Sequence, residues 1–116
     1  HFIGSPGMNI LPCDIENGQI NLGGTILPNR INTKNNNFRK TQVGIRPEFI
    51  NFSNDGIQVK IKRVSDTGRH KVIDAECSSG NIKILASSST QIPSGSAHIT
   101  FNQKYTFAYG DNWIIE

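Results

Sequence analysis

Ile57-Gln58-Val59-Lys60-Ile61-Lys62 alternates apolar and polar residues without a break. A period of two places Ile57, Val59 and Ile61 on one face of an extended chain and Gln58, Lys60 and Lys62 on the other. That is the pattern of a half-buried strand. Working outward, Asp66-Thr67-Gly68 reads as a three-residue hairpin loop, and His70 to Ala75 as the returning strand. Ile82 to Ala86, Ala97 to Phe101 and Tyr105 to Tyr109 extend the series. On the N-terminal side, Thr41 to Arg46 and Met8 to Ile15 read as strands, and Gln19 to Leu27 as two short ones. Asn17-Gly18, Gly23-Gly24, Asp55-Gly56, Ser79-Gly80 and Gly110-Asp111 supply turn chemistry between them. Ala stands only at 75, 86, 97 and 108, and no three-turn window is free of Gly, Pro or clustered Asn and Ser. The expected fold is all-β: a small OB-fold-like barrel of antiparallel strands with long loops. Those loops are Asn32 to Lys40 and Ser87 to Ser96.

The chain is 116 residues long, and 1–116 is read as a single β domain. Surface scaling gives about 6,300 Å² for the folded chain against about 18,600 Å² unfolded, enough for a core without staples. With 35% hydrophobic and 18% charged residues, the composition is that of a folded chain. No apolar run approaches the length of a membrane-spanning helix, and none follows a basic N-terminus as in a signal peptide. Cys13 and Cys77 form no CxxC pair. They are read as free thiols in a reducing compartment, with a Cys13–Cys77 disulfide as the alternative. The chain opens with His1 rather than Met, which points to an upstream portion not included.

Catalytic motifs are absent from the sequence. There is no GxxxxGK[ST], no GxGxxG between strand and helix, and no HExxH. Gly4-Ser5-Pro6-Gly7 does not match the GxSxG elbow. His1, His70 and His98 are scattered, and His98 is read as a strand residue rather than a ligand. Asp14 and Glu16 share one strand face, where acid–base work competes with simple solvation. The expectation is no catalytic, cofactor-binding or metal-ligating residue in this chain.

The net charge of +3 permits an anionic partner without demanding one. Lys60, Lys62 and Arg63 face Arg69 and Lys71 across the expected hairpin, the outline of a free-standing OB-fold module that binds nucleic acid or a small ligand. Base stacking needs aromatics on that same face. Phe101, Tyr105, Phe107 and Tyr109 lie on later strands whose inward faces want them. The basic residues are therefore read as a solvated edge that discourages edge-to-edge association, which disfavours nucleic acid.

Two segments depart from generic β-sequence. The first is Phe2-Ile3-Gly4-Ser5-Pro6-Gly7-Met8-Asn9-Ile10-Leu11, in which Gly4 and Pro6 turn the chain before an apolar strand. The second is Val43-Gly44-Ile45-Arg46-Pro47-Glu48. Here Val43 and Ile45 point one way and Gly44 and Arg46 the other. Pro47 lacks an N–H and ends the pairing. Arg46 and Glu48, two apart, are expected on one side, sharing an exposed ion pair worth roughly 0–1 kcal/mol.

Together they resemble the C-terminal region of ATP-binding subunits of carbohydrate-type ABC importers, the family of the maltose and glycerol-3-phosphate importer ATPases. That family's pattern reads FIGSP-x-MN-x-L, then a loop-rich stretch, then GIRPE, then a β tail. The matching residues are Phe2, Ile3, Gly4, Ser5, Pro6, Met8, Asn9 and Leu11, then Gly44, Ile45, Arg46, Pro47 and Glu48. The chain departs from it at Phe49-Ile50, at Lys62-Arg63-Val64-Ser65 and at Tyr105-Thr106-Phe107-Ala108, where the family carries other patterns. The resemblance implies a transport-associated OB-like regulatory domain following an ATPase domain, with residues 1–7 as the exit from it. It implies ATP and magnesium bound by the ATPase domain of the parent subunit and by no residue here. The implied partners are a second copy of the ATP-binding subunit, the membrane-spanning importer subunits, and a regulatory protein or small ligand. The implied location is the cytoplasmic side of the membrane, held there through the complex. The motif residues would then shape interdomain or intersubunit geometry, or the barrel itself. Weak self-association of the isolated chain follows as an expectation, through its β-edges and two long loops.

Overall fold

In a computed structural model, residues 7–32 and 38–115 are described. Among the described residues twelve strands run in chain order: β1 Asn9–Pro12, β2 Asp14–Glu16, β3 Gln19–Leu22, β4 Thr25–Ile26, β5 Thr41–Ile45, β6 Ile50–Ser53, β7 Ile57–Asp66, β8 His70–Cys77, β9 Gly80–Ser87, β10 Ser96–Phe101, β11 Phe107–Gly110 and β12 Trp113–Ile115. Two 3-10 turns, Pro47–Phe49 and Gln103–Tyr105, complete the elements. Three antiparallel sheets result, ordered β1-β5-β11-β12, β6-β10-β7-β8-β9 and β2-β3-β4. The fold is all-β and OB-like, as the alternation implies. In the five-stranded sheet the edge strands β6 and β9 approach one another without sharing a ladder, so the sheet curls but stays open.

The deciding stretch behaves as read. Ile57 and Val59 are buried and Gln58 and Lys60 exposed. The alternation then changes phase, because the register of β7 on β8 slips between Ile61 and Arg63. Lys62 is the extra residue of a bulge, and bulges kink and twist a strand. Past it, Val64 pairs with Ile73 and is exposed at the far end of the ribbon. The Thr67–Arg69 loop closes with Thr67 N–H donating to the His70 carbonyl and Gly68 N–H donating to Asp66.

Turn chemistry sets the other registers. Asn17 and Gly18 both take positive φ, 53° and 74°, and join Glu16 to its partner Gln19. Such a two-residue loop matches the twist of its strands. Asp111 and Asn112, at 51° and 73°, do the same between Gly110 and Trp113.

Several expected boundaries shift. The single strand Met8 to Ile15 is two, because β1 pairs with β5 while β2 turns away at Cys13 to pair with β3. The strand expected from Tyr105 starts at Phe107; Tyr105 closes a 3-10 turn whose cap is the Asn102 side chain accepting from Lys104 N–H. Strands β6 and β12 were not anticipated. β6 follows a proline turn too closely to show alternation, and β12 is only three residues long.

The core runs between the sheets. Ile20, Leu22, Val43, Ile45, Val59, Ile73, Ile84 and Ile99 are its fully enclosed side chains. At roughly 1.5–3 kcal/mol for each such side chain, burial on this scale is what holds three small sheets together. Cys13 and Cys77 are both free thiols, so the disulfide alternative falls. Cys77 lies buried and donates to the Gly80 carbonyl across the hairpin turn.

Candidate functional site

The two unusual segments, more than thirty residues apart in the chain, are neighbours in the sheet. β1 and β5 pair with Asn9 opposite Ile45, Ile10 opposite Gly44, and Leu11 opposite Val43. Leu11, Val43 and Ile45 are buried. Of the motif residues named above, Phe2, Ile3, Gly4, Ser5 and Pro6 lie outside the described residues. The others, from Met8 to Glu48, gather along this one strand pair and the turn that follows it.

Gly44 shows why the pair must be close. It sits mid-strand, where glycine weakens a sheet unless something approaches the backbone. A Cβ there would stand 2.7 Å from Met8 Sδ, 2.8 Å from the Tyr109 ring and 3.1 Å from Ile10. The face opposite Val43 and Ile45 is therefore also covered, by Met8 and by Tyr109 from β11. The Tyr109 hydroxyl points at Met8 Sδ, 3.7 Å away. Burial pushes the Tyr109 hydroxyl pKa up, partly offset by the nearby Arg46 guanidinium.

Arg46 caps a 3-10 turn with Pro47 at its start. Proline suits that position, since its fixed φ fits the first turn and no donor is lost. The turn corrects the expected geometry of the pair: strand alternation stops at Arg46, and Glu48 lies exposed in the turn rather than beside Arg46 on a strand face. The turn leads into Phe49, whose ring stacks on Tyr105 at 3.8 Å between centroids and 9° between planes. Phe49 also accepts the Asn102 N–H at its carbonyl. The GIRPE segment therefore links the β1–β5 pair to the Gln103–Tyr105 turn.

Asn9 makes the second link. Its side-chain amide donates to the Lys83 carbonyl and accepts from the Lys83 N–H, both at 2.8 Å. Lys83 lies on β9, an edge of the five-stranded sheet, and Asn9 on β1, an edge of the four-stranded one. One amide here does the work of a missing ladder step.

The start of β2 is electrostatically quiet. Burial first, then the neighbouring Asp14 carboxylate, pushes the Cys13 thiol up to about 11, against a hydrogen bond from Thr41. A thiol held neutral is a poor nucleophile. Asp14 and Glu16 are both exposed, and Glu16 accepts from the Asn21 amide. Among the described residues no group of three or more His, Cys, Asp or Glu side chains is placed to hold a metal ion.

The basic residues do not concentrate into one face. Arg63 pairs with Asp74 at 3.1 Å, and Lys83 shares the same carboxylate at 3.5 Å. Lys71 donates to the Thr90 carbonyl and pins the 88–95 loop. Tyr109 is buried, and the Phe49–Tyr105 stack sits at the other sheet junction. Sequence reasoning named neither Lys83 nor Tyr109 as partners of the motifs. The available signals were Gly44 inside a strand and Asn9 in a β context that disfavours it.

Comparison with known families adds one finding. Residues 4–50 match the family model described as the MalK OB fold domain. Over those residues the chain is similar to that family. The match takes in the second motif and the first from Gly4 onward, strands β1 to β5 and the Pro47–Phe49 turn, and covers less than half of the 116-residue chain. No curated protein matches the sequence. No helix among the described residues is long and apolar enough to cross a membrane. The matched segment supplies one wall of the core, and Asn9 and Phe49, with the β5–β11 ladder, are among its links to the remainder of the fold.

Proposed function

We propose that this chain is the non-catalytic regulatory and dimerisation domain of an ABC importer ATP-binding subunit serving sugar or glycerol-3-phosphate uptake. The observation that carries the reading is the MalK OB fold match over residues 4–50, with the described parts of the two motifs meeting on the hydrogen-bonded strands β1 and β5. In this reading residues 1–7 leave the ATPase domain and β1 enters the sheet directly. The chain then sits on the cytoplasmic side, beside a second copy of the subunit and below the membrane-spanning subunits. ATP and magnesium are handled in the ATPase domain.

The physical logic is tethering. Two ATPase domains close on ATP and part after hydrolysis, so a contact elsewhere must keep them together. A symmetric contact between two copies of this chain suits that task even when weak, because the linked domains raise its effective concentration. The test is transport by the assembled importer in proteoliposomes. Subunits lacking the chain should still hydrolyse ATP but move less solute per ATP. Unchanged coupling without the chain would overturn the reading.

A further inference from the structure

A polar cleft opens on the five-stranded sheet, lined by residues outside the two motif strands. Its floor is set by register. Glu76 on β8 stands directly opposite Lys60 on β7, and Lys60 directly opposite Ser96 on β10. One step along, Gln58 stands opposite His98. Directly opposed side chains project from the same face. Beyond Lys60 the ladder with β8 ends, since Ile57, Gln58 and Val59 pair only with β10. Into the gap come the Ser78–Ser79 turn and the Gly23–Gly24 turn of the small sheet. Gly23 packs so tightly on Ser78 that a Cβ would fall within van der Waals distance of its Oγ. The open cleft measures about 660 Å³, within the size range of small-ligand sites, roughly 300–1,000 Å³.

The side chains of Glu76, Lys60, Ser96, Gln58 and His98 share a second property. None makes a hydrogen bond or ion pair with another described residue, although Lys60 and Glu76 face one another. Elsewhere on the same sheet opposed charges do pair, as Arg63 and Asp74 do. The cleft thus presents donors and acceptors of both signs in close order, all uncommitted.

The chemistry narrows the ligand. An inorganic anion would meet Glu76, and a polycation would meet Lys60. An aromatic base finds only the His98 imidazole among the lining rings to stack on, and an apolar molecule would have to cover the polar Gln58, Lys60, Glu76 and Ser96 to reach Leu22, Ile57 and Val59. We infer that the Gly23–Gly24 and β8-β7-β10 cleft is a binding site for a small neutral polyhydroxylated molecule, a polyol or short saccharide. Adjacent hydroxyls both donate and accept, so one pair can bridge the Lys60 ammonium and the Glu76 carboxylate. Gln58, Ser96 and Ser78 then meet the remaining hydroxyls. An open, solvated site of this kind binds weakly, with Kd about 1 mM.

The test is a two-dimensional ¹⁵N–¹H titration of the chain with glucitol, glucose and maltose, with inorganic phosphate in parallel. Saturable shifts confined to Gly23, Gly24, Lys60, Glu76, Ser78 and His98 are expected with at least one polyol, and none with phosphate. Lys60→Ala and Glu76→Ala should each weaken binding about tenfold or more. Both positions are exposed, so the fold should survive; Gln58→Ala serves as a milder third variant if either is lost. Absence of saturable shifts up to about 50 mM polyol, a concentration well above the expected Kd, overturns the site. So do shifts scattered outside the cleft, equal shifts with phosphate, or binding indifferent to all three variants. The inference is independent of the importer reading: failure here leaves transport coupling untouched, and failure of coupling leaves this titration unchanged.

Discussion

The side chain of Asn9 and the backbone of Lys83, 74 residues apart, exchange two hydrogen bonds of 2.8 Å. They join the edge of one sheet to the edge of another where no ladder runs. The first strand after the chain enters the domain is thereby fixed to both halves of the fold. Because only the backbone of Lys83 takes part, two substitutions separate cleanly. Asn9→Ala should destabilise by about 1–2 kcal/mol, the loss of two partly exposed hydrogen bonds. Lys83→Ala keeps both and loses only the exposed 3.5 Å contact to Asp74, worth roughly 0–1 kcal/mol. Chemical denaturation of the two variants checks this; equal costs would deny Asn9 its bridging role.

Gly44 is set by space rather than by backbone angle. A methyl group there meets Met8 Sδ and the Tyr109 ring below 3 Å. Overpacking of this kind costs about 1–3 kcal/mol, so Gly44→Ala should lower the midpoint of thermal unfolding by several degrees. In a Met8→Ala background the same change should cost less than it does alone, since one of the two obstructions is gone. A cost unaffected by Met8→Ala would mean that the strands, not the side chains, set the limit.

The fold class was legible because the signal lay in long strands. Ile57 to Lys62 alternates over six residues, and glycine or asparagine marks nearly every turn. What stayed hidden had physical reasons. The phase slip at Lys62 is a bulge, which leaves no composition of its own. β6 and β12 are short and hold their place through neighbours, not periodicity. The motif residues were legible as a group, since Gly44 and Pro47 are unusual in strands. Their partners Lys83 and Tyr109 were not, because a contact across 74 or 101 residues leaves no local trace.

Phe49 and Tyr105 stack nearly parallel at 3.8 Å, joining the end of the GIRPE segment to the turn before β11. A double-mutant cycle with Phe49→Leu and Tyr105→Leu should return a coupling of about 0.5–1.5 kcal/mol beyond lost area. Additive costs would show that each ring packs on the core independently of the other.

Cys13 gives a prediction in pH. Its thiol is pushed from 9.0 to about 11, chiefly by burial. A raised pKa in the folded state means that the neutral thiol is favoured by folding. That contribution is complete below the unfolded value and is lost as pH rises through the folded one, a window of about 9 to 11. Stability should therefore fall between pH 9 and 11 more steeply than in Cys13→Ser. Alkylation of Cys13 by iodoacetamide should stay slow at pH 8. Rapid alkylation there would show a thiol far less enclosed than described.

The pairing role is tested most directly by sedimentation velocity on the full ATP-binding subunit, with and without residues 1–116, in the absence of nucleotide. In the proposed reading, with the ATPase domains apart, the domain contact alone holds the two subunits. The account predicts a concentration-dependent dimer for the full subunit and a monomer once residues 1–116 are removed. An undiminished dimer without those residues would contradict it.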